Sequence, residues 1–446
     1  MSSQNGQELP KVNGHWLLGS ALDMALAPHE FIAHAPQPYN GIASFRILHR
    51  PFVAVNDPDA VRQIMVTNHQ RYTRSFHYDN SVVGKGLLST DGAVWQKRRR
   101  QVQPAFRRET MAHLVRMTNF TADKLFATWN SAITAEQSLE LIIEMQKLAL
   151  SVNSQALLSV EIDWNAAERF GLAVRDALKL LRKRNTSLMR FPSWLPTSLN
   201  RQLNKTRIIL DEHIVPIINA RRAINMETND ILASLLEVRD PETGDALSDQ
   251  EILDETKTLF TAGFETTATA LTWAIYLLAH NPDRAAQWYA EVDHVLEGRV
   301  PQWEDLPYLP YTAHMINETL RLYPPVYNIA RECIETDVVN GCTIPKGAVV
   351  IMSILGIHRD ERWWPEPLAF RPERFAGAWP KHAYLPFATG RHLCIGNHFA
   401  LTEMAVALIR LAQAYRVELI DTEPVGAVAQ ITLVPNRPLP FRLVAR

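Results

Sequence analysis

The sequence predicts a mainly α-helical protein with a small β-rich lobe. Three observations predict it. A stretch without proline, mostly apolar in its middle, runs from Ser248 to Asn281. A series of amphipathic helical patterns fills residues 110–235. Runs rich in β-branched and aromatic residues are short and confined to about 40–56, 326–352 and the C-terminus. The chain has 446 residues, a length that by itself suggests two or three domains. Yet no composition shift marks a linker, and no repeat or low-complexity tract interrupts it. Apolar residues make up 47%, ample for a large core, and the formal charge of −1 implies no nucleic-acid or acidic-substrate partner. Three cysteines form no disulfide framework, which fits a reducing compartment. The polar N-terminus holds neither an apolar run of about 18 residues nor a secretory core, so the reading is a soluble, cytoplasmic protein.

In chain order, residues 42–56 read as a hairpin turning at His49-Arg50-Pro51, and Asn56-Asp57 caps a following helix. Residues 70–90 look like a long loop containing Phe76 and Tyr78. In Trp95-Gln96-Lys97-Arg98-Arg99-Arg100, Trp95 and Arg99 share a helix face, an indole N–H and a guanidinium suited to carboxylates. A solvated basic run explains the same residues equally well. Ser248-Asp249-Gln250-Glu251 is a capping box opening a helix of about 32 residues. In its middle stands Ala262-Gly263-Phe264-Glu265-Thr266-Thr267. Glycine, a buried acid and two threonines there run against local preference, which is expected at functional sites. A surface-facing acid is the competing reading. Further on, Glu318 and Arg321 can pair at i,i+3 before Pro324-Pro325 ends the helix. Val326 to Arg331 reads as a strand, and Asn340-Gly341 as a hairpin turn.

The most informative stretch is Phe387-Ala388-Thr389-Gly390-Arg391-His392-Leu393-Cys394-Ile395-Gly396. Apolar residues at helical spacing follow it: Leu401, Met404, Ala405, Leu408 and Leu411. Cys394 therefore precedes a helix N-terminus, where a thiolate is favoured. Gly396 would let a large flat cofactor approach the backbone, Gly390 allows the tight turn, and Phe387 can cover the sulfur. A buried structural cysteine is the ordinary alternative. Zinc with His398 lacks further ligands at close spacing.

Phe-x-x-Gly-x-His-x-Cys-x-Gly resembles the haem-binding loop of the cytochrome P-450 superfamily, the haem-thiolate monooxygenases. His392 stands where arginine is usual. Four more motifs appear in the family's order: Trp95-x-x-x-Arg99, Ala262-Gly263-Phe264-Glu265-Thr266, Glu318-x-x-Arg321, and Phe370-Arg371-Pro372-Glu373-Arg374-Phe375. The resemblance implies a single domain over 1–446, with its β-rich lobe mainly at 40–56 and 326–352 and its helical lobe mainly at 90–325 and 395–415. Haem b is expected between the long helix and the cysteine loop, with Cys394 as axial ligand of the iron. Trp95, Arg99, Arg331 and His392 are expected on the propionates. Gly263 would make room over the haem, with Thr266 bonding dioxygen and Glu265 relaying protons. Glu318, Arg321 and Arg374 would form a structural network. Phe76, Tyr78, Phe260, Phe264, Val326, Tyr327 and Ile329 are expected around an apolar pocket. The implied activity inserts one oxygen atom of O2 into a hydrophobic molecule such as a fatty acid, terpenoid or steroid. Electrons would come from a separate ferredoxin or flavodoxin with its reductase, steered by a basic patch of Lys97, Arg98, Arg100, Arg107 and Arg108. A peroxide-driven peroxygenase and a non-catalytic haem sensor are the alternatives.

Overall fold

The structure, a computed structural model, describes residues 6–446 apart from 75–81, 136, 163, 165–170, 172–173, 175, 177–178, 182–183, 185–191, 193 and 225–229. Phe76 and Tyr78 thus lie outside the described residues. The chain divides into two compact units. One gathers Met1–Tyr78, Glu318–Cys394 and Ala427–Val434; the other holds Asp79–Asn317, Ile395–Gly426 and Pro435–Arg446. No helix among the described residues is long and apolar enough to cross a membrane.

The first unit is built on a five-stranded sheet. Its strands are β1 (Ile42–Ile47), β2 (Arg50–Val55), β3 (Tyr72–Thr73), β4 (Asn328–Cys333) and, after a hairpin, β7 (Val349–Ser353), in the order β1-β2-β7-β4-β3. β2 and β7 run parallel, with Phe52 opposite Val349, and the other pairs are antiparallel. Val53, Val55, Val350 and Met352 alternate with Ala54, Val349 and Ile351, and each set packs into its own core cluster. Both faces of the central strands are thus buried, as parallel pairing usually demands. The first hairpin turns at Leu48-His49, not at the expected His49-Arg50-Pro51: Ile47 pairs with Arg50, and Pro51 faces Arg46. Pro51 is tolerated because the pairing of β2 with β7 begins only at Phe52, so no ladder there needs its missing N–H. Asp57, not Asn56, caps the next helix, its Oδ1 accepting the Ala60 N–H at 2.9 Å. The hairpin between β5 (Asp337–Val339) and β6 (Cys342–Ile344) turns at Asn340-Gly341 as predicted, both residues having positive φ.

The second unit is helical. Its framework is α1 (Gly92–Val102), α2 (Arg108–Thr134), α3 (Leu141–Leu158), α4 (Ser198–Ile224), α5 (Asp249–His280), α6 (Pro282–Leu296) and α8 (Asn397–Ala414). The intervening α7 (Pro310–Leu322) carries the chain from this unit into the first at Glu318. The capping box forms as read. The Ser248 N–H donates to Glu251 Oε2 at 2.8 Å, and α5 runs for 32 residues. It packs along α3, and α8 packs along α2. Phe264, Leu271, Trp273 and Ala274 of α5 are fully buried. At about 1.5–3 kcal/mol for each large apolar side chain, such burial outweighs the weak local propensities of the glycine and threonines.

Candidate active site

Around Cys394 the backbone is locked by its own bonds. The Cys394 N–H donates to the Phe387 carbonyl at 3.0 Å, closing the loop from Phe387 to Cys394. Gly390 has φ +70, and a Cβ there would strike the Met65 carbonyl oxygen at 2.3 Å, so only glycine fits. Despite this rigidity, Cys394 is exposed, as is its apolar neighbour Leu393 at 40%. Phe387 is half-buried, and His392 lies in a single 3₁₀ turn just before. Past the cysteine, a Cβ on Gly396 would meet only Phe106, at 3.9 Å.

The same unit carries the predicted ion network. Glu318 and Arg321 are fully buried and pair twice, at 2.7 and 2.9 Å. Glu318 Oε1 also accepts from Arg374 Nε and from the Arg371 N–H, both at 2.9 Å. Arg321 donates onward to the carbonyls of His358 and Pro367, each at 2.7 Å. His358 escaped the sequence reading. It is wholly buried, its Nε2 accepts the Leu385 N–H at 2.8 Å, and its Nδ1 lies 3.2 Å from the Arg321 carbonyl. Burial, reinforced by the Arg321 charge, pushes its pKa down to about 3. The neutral ring therefore donates from Nδ1 and accepts at Nε2, tying the network to the chain two residues before Phe387. A lone histidine in an apolar run gives no sequence signal of this.

Arg331 is buried in β4, its Nη1 donating to the Ala330 carbonyl at 2.7 Å. Of the three expected pocket residues beside it, Val326 is exposed. Tyr327 instead donates to the Gln430 carbonyl at 3.3 Å, and Ile329 packs against the sheet core.

In the helical unit, α5 is buried along most of its length but accessible at Ala262, Gly263 and Thr266. Thr266 Oγ1 donates to the Ala262 carbonyl at 2.8 Å. Glu265 points into protein, where Gln146 Nε2 lies 3.4 Å from its Oε2. Three expectations are corrected here. Phe260 and Phe264 stand about 200° around the helix from Ala262 and are buried as core, so they do not line that accessible face. The space left by Gly263 is taken by Asn153 of α3, whose Nδ2 would lie 2.6 Å from a Cβ there; the glycine admits a neighbouring helix. The basic patch is largely neutralised. Arg98 is 4% exposed and donates to Glu251 at 2.6 Å, Lys97 to Asp245 at 2.5 Å, and Arg100 to Asp240 at 3.1 Å. Trp95 is buried on α1, and Arg99, one turn on, is half-buried near Gln103. Glu403 of α8, also missed, is fully buried with both carboxylate oxygens lacking a hydrogen bond among the described residues. Burial raises its pKa well above the usual carboxylate range, which favours the neutral acid.

These features fit a haem with a cysteine ligand. A rigid loop presents an accessible sulfur beside an exposed leucine, and a buried helix opens one face at a small residue and a threonine. An exposed cysteine on such a loop has the chemistry that thiolate ligation of haem requires. The chain belongs to the cytochrome P-450 family, whose family model matches residues 9–443. It is therefore a monooxygenase, an oxidoreductase that binds haem b and takes O2 and electrons from redox partners. Over 435 residues it is 32% identical to cyclooctatin synthase of Streptomyces melanosporofaciens, spanning 96% of this chain and 93% of that protein. Cyclooctat-9-en-7-ol 5-monooxygenase of the same organism is 31% identical over 90% of this chain and 87% of its own length. Pentalenene oxygenase of Streptomyces avermitilis is 28% identical over 96% of each.

Proposed function

We propose that this protein oxidises a C–H bond of a terpenoid, with electrons delivered by a separate ferredoxin or flavodoxin. The observation that carries the reading is the exposed Cys394 in a loop whose backbone is fixed at Phe387 and Gly390. The names of the relatives, two acting on cyclooctatin skeletons and one on pentalenene, support the substrate class. In this reading Cys394 holds the iron as its thiolate ligand. His392, Arg331, Trp95 and Arg99 hold the propionates, and Gly396 keeps the backbone clear. Haem, when bound, supplies the oxygen-activating chemistry.

The chain's own residues then manage protons and water. Thr266, whose hydroxyl is held by the Ala262 carbonyl, orients a donor on the accessible face of α5. Glu265, its carboxylate 3.4 Å from Gln146, relays protons toward that face. The Glu318–Arg321–Arg374 network acts on shape alone. Cys394→Ser should abolish the red-shifted Soret band of the ferrous–CO protein, and a surviving band would overturn the ligand assignment. Thr266→Ala should shift reducing equivalents from product to peroxide, measured as the ratio of the two.

A further inference from the structure

In the first unit, the short helix Pro58–Arg62 does not end as an α-helix. It widens into a π-helical turn, Gln63–Thr67, closed by the Asn68 N–H donating to the Gln63 carbonyl at 2.7 Å, five residues back. Such turns are rare and occur frequently at functional sites. The β5–β6 hairpin grips this one at both ends. At its start, Gln63 Nε2 donates to Asn340 Oδ1 at 2.8 Å, and the Asn340 N–H donates back to Gln63 Oε1 at 3.1 Å. Asn340 Nδ2 reaches on to Asp57 Oδ1 at 2.8 Å, the carboxylate that caps the same helix. At its end, Asn68 Nδ2 donates to both Asp337 oxygens, at 3.0 and 2.9 Å. Asp337 is 1% exposed, and Arg71 and the Tyr72 hydroxyl also donate to it, at 2.9 and 2.8 Å. Hydrogen bonds to a buried carboxylate are among the strong ones.

The middle of the turn presses on the loop of Cys394. A Cβ on Gly390 would strike the Met65 carbonyl oxygen and come within 3.3 Å of the Val66 side chain. Ile64 and Met65 are buried in the sheet core, so the turn cannot back away without losing that packing. Gly390 in turn accepts the Leu393 N–H at 3.0 Å, one residue before the sulfur. The loop is also strained. Ala388 has φ +63, a left-handed conformation that a residue with a Cβ rarely adopts. Strained backbone keeps its shape where the surroundings over-determine it. The turn supplies such a constraint, and the hairpin supplies the shape of the turn.

We propose that Gln63, Asn68, Asp337 and Asn340 are positioning residues for Cys394. They hold the π-helical turn, the turn fixes Gly390, and Gly390 fixes where the sulfur sits. This deepens the proposed function and rests on Cys394 being the iron ligand. Without either grip the turn relaxes toward an ordinary α-helix, which closes on the fourth residue and not the fifth, and the Met65 carbonyl shifts against Gly390. The sulfur then loses its set position, and the thiolate bond to iron is given up more easily.

The test follows the ferrous–CO spectrum of the haem-loaded protein and reads the rate at which the red-shifted thiolate band is lost. Wild type is compared with Asn340→Gly, Asn68→Ala and the double variant. Glycine at 340 keeps the positive φ of the hairpin turn while removing both side-chain bonds. Phe45→Leu, in the core cluster on the other face of the same sheet, is the control for stability alone, each rate being set against the midpoint of urea unfolding. The double variant should lose the band about tenfold faster than wild type, equivalent to about 1.4 kcal/mol off the barrier, and each single variant about threefold faster. Phe45→Leu should keep the wild-type rate even where its midpoint is as low as theirs. Should the double variant not fold, the two single variants carry the same comparison. Rates unchanged in the variants, or a Phe45→Leu rate raised in step with its midpoint, would overturn the proposal and leave the hairpin a support of the fold alone. A wild type that never shows the band would sink the ligand assignment and this proposal with it, whereas a stable wild-type band with indifferent variants sinks the proposal alone.

Discussion

Two buried polar regions of this protein are handled in opposite ways. Around Glu318, every charge is answered: one carboxylate receives Arg321, Arg374 and the Arg371 N–H, and Arg321 spends its remaining donors on carbonyls. On α5, the Thr258 and Thr261 hydroxyls are equally buried and are answered by nothing among the described residues. The physics of desolvation is the same in both places. A satisfied network cannot be improved by a ligand, so it holds shape. An unsatisfied pair lowers the stability of the protein. Buried polarity is thus fully compensated in one region and left uncompensated in the other.

Three experiments sharpen the contrast. The largest effect is expected from Glu318→Ala, which leaves Arg321 buried without its carboxylate. Stability by urea denaturation should fall by about 3–5 kcal/mol. A loss near zero would mean that the network does not hold this unit together. Next comes pH. His358 has a folded pKa of about 3, below the usual value for histidine, so its contribution is fully present above about pH 6.5. It is lost as pH falls toward 3, because the unfolded chain takes up the proton first. The wild-type loss should exceed that of His358→Gln by about 1.4 kcal/mol per pH unit in that window. Equal slopes would show that the ring is not held neutral. The smallest effect has the opposite sign. Thr258→Val in the ligand-free protein should raise stability by about 1 kcal/mol, since it removes an unpaired buried hydroxyl. A loss of stability would mean that the hydroxyl has an unseen partner and that the contrast with Glu318 fails.

Much of this was legible in the chain. The capping box at Ser248 and Glu251, the length of α5, the Asn340-Gly341 turn and the pairing of Glu318 with Arg321 all depend on residues close in sequence. Local geometry decides them. The basic run at Lys97–Arg100 was misjudged because its neutralising acids, Asp240, Asp245 and Glu251, lie about 150 residues away. Phe260 and Phe264 were assigned to the pocket because apolarity cannot distinguish a core face from a ligand face.

By itself the sequence determined the family and the fold class, because those rest on residue types at fixed short spacings. Only the tertiary structure decided which polar groups are paired. Asn153 filling the space at Gly263, His358 reaching Leu385, and Gly86 lying over Thr258 all join segments far apart in the chain. Pairing is a property of three-dimensional neighbours, and no periodicity along the chain encodes it.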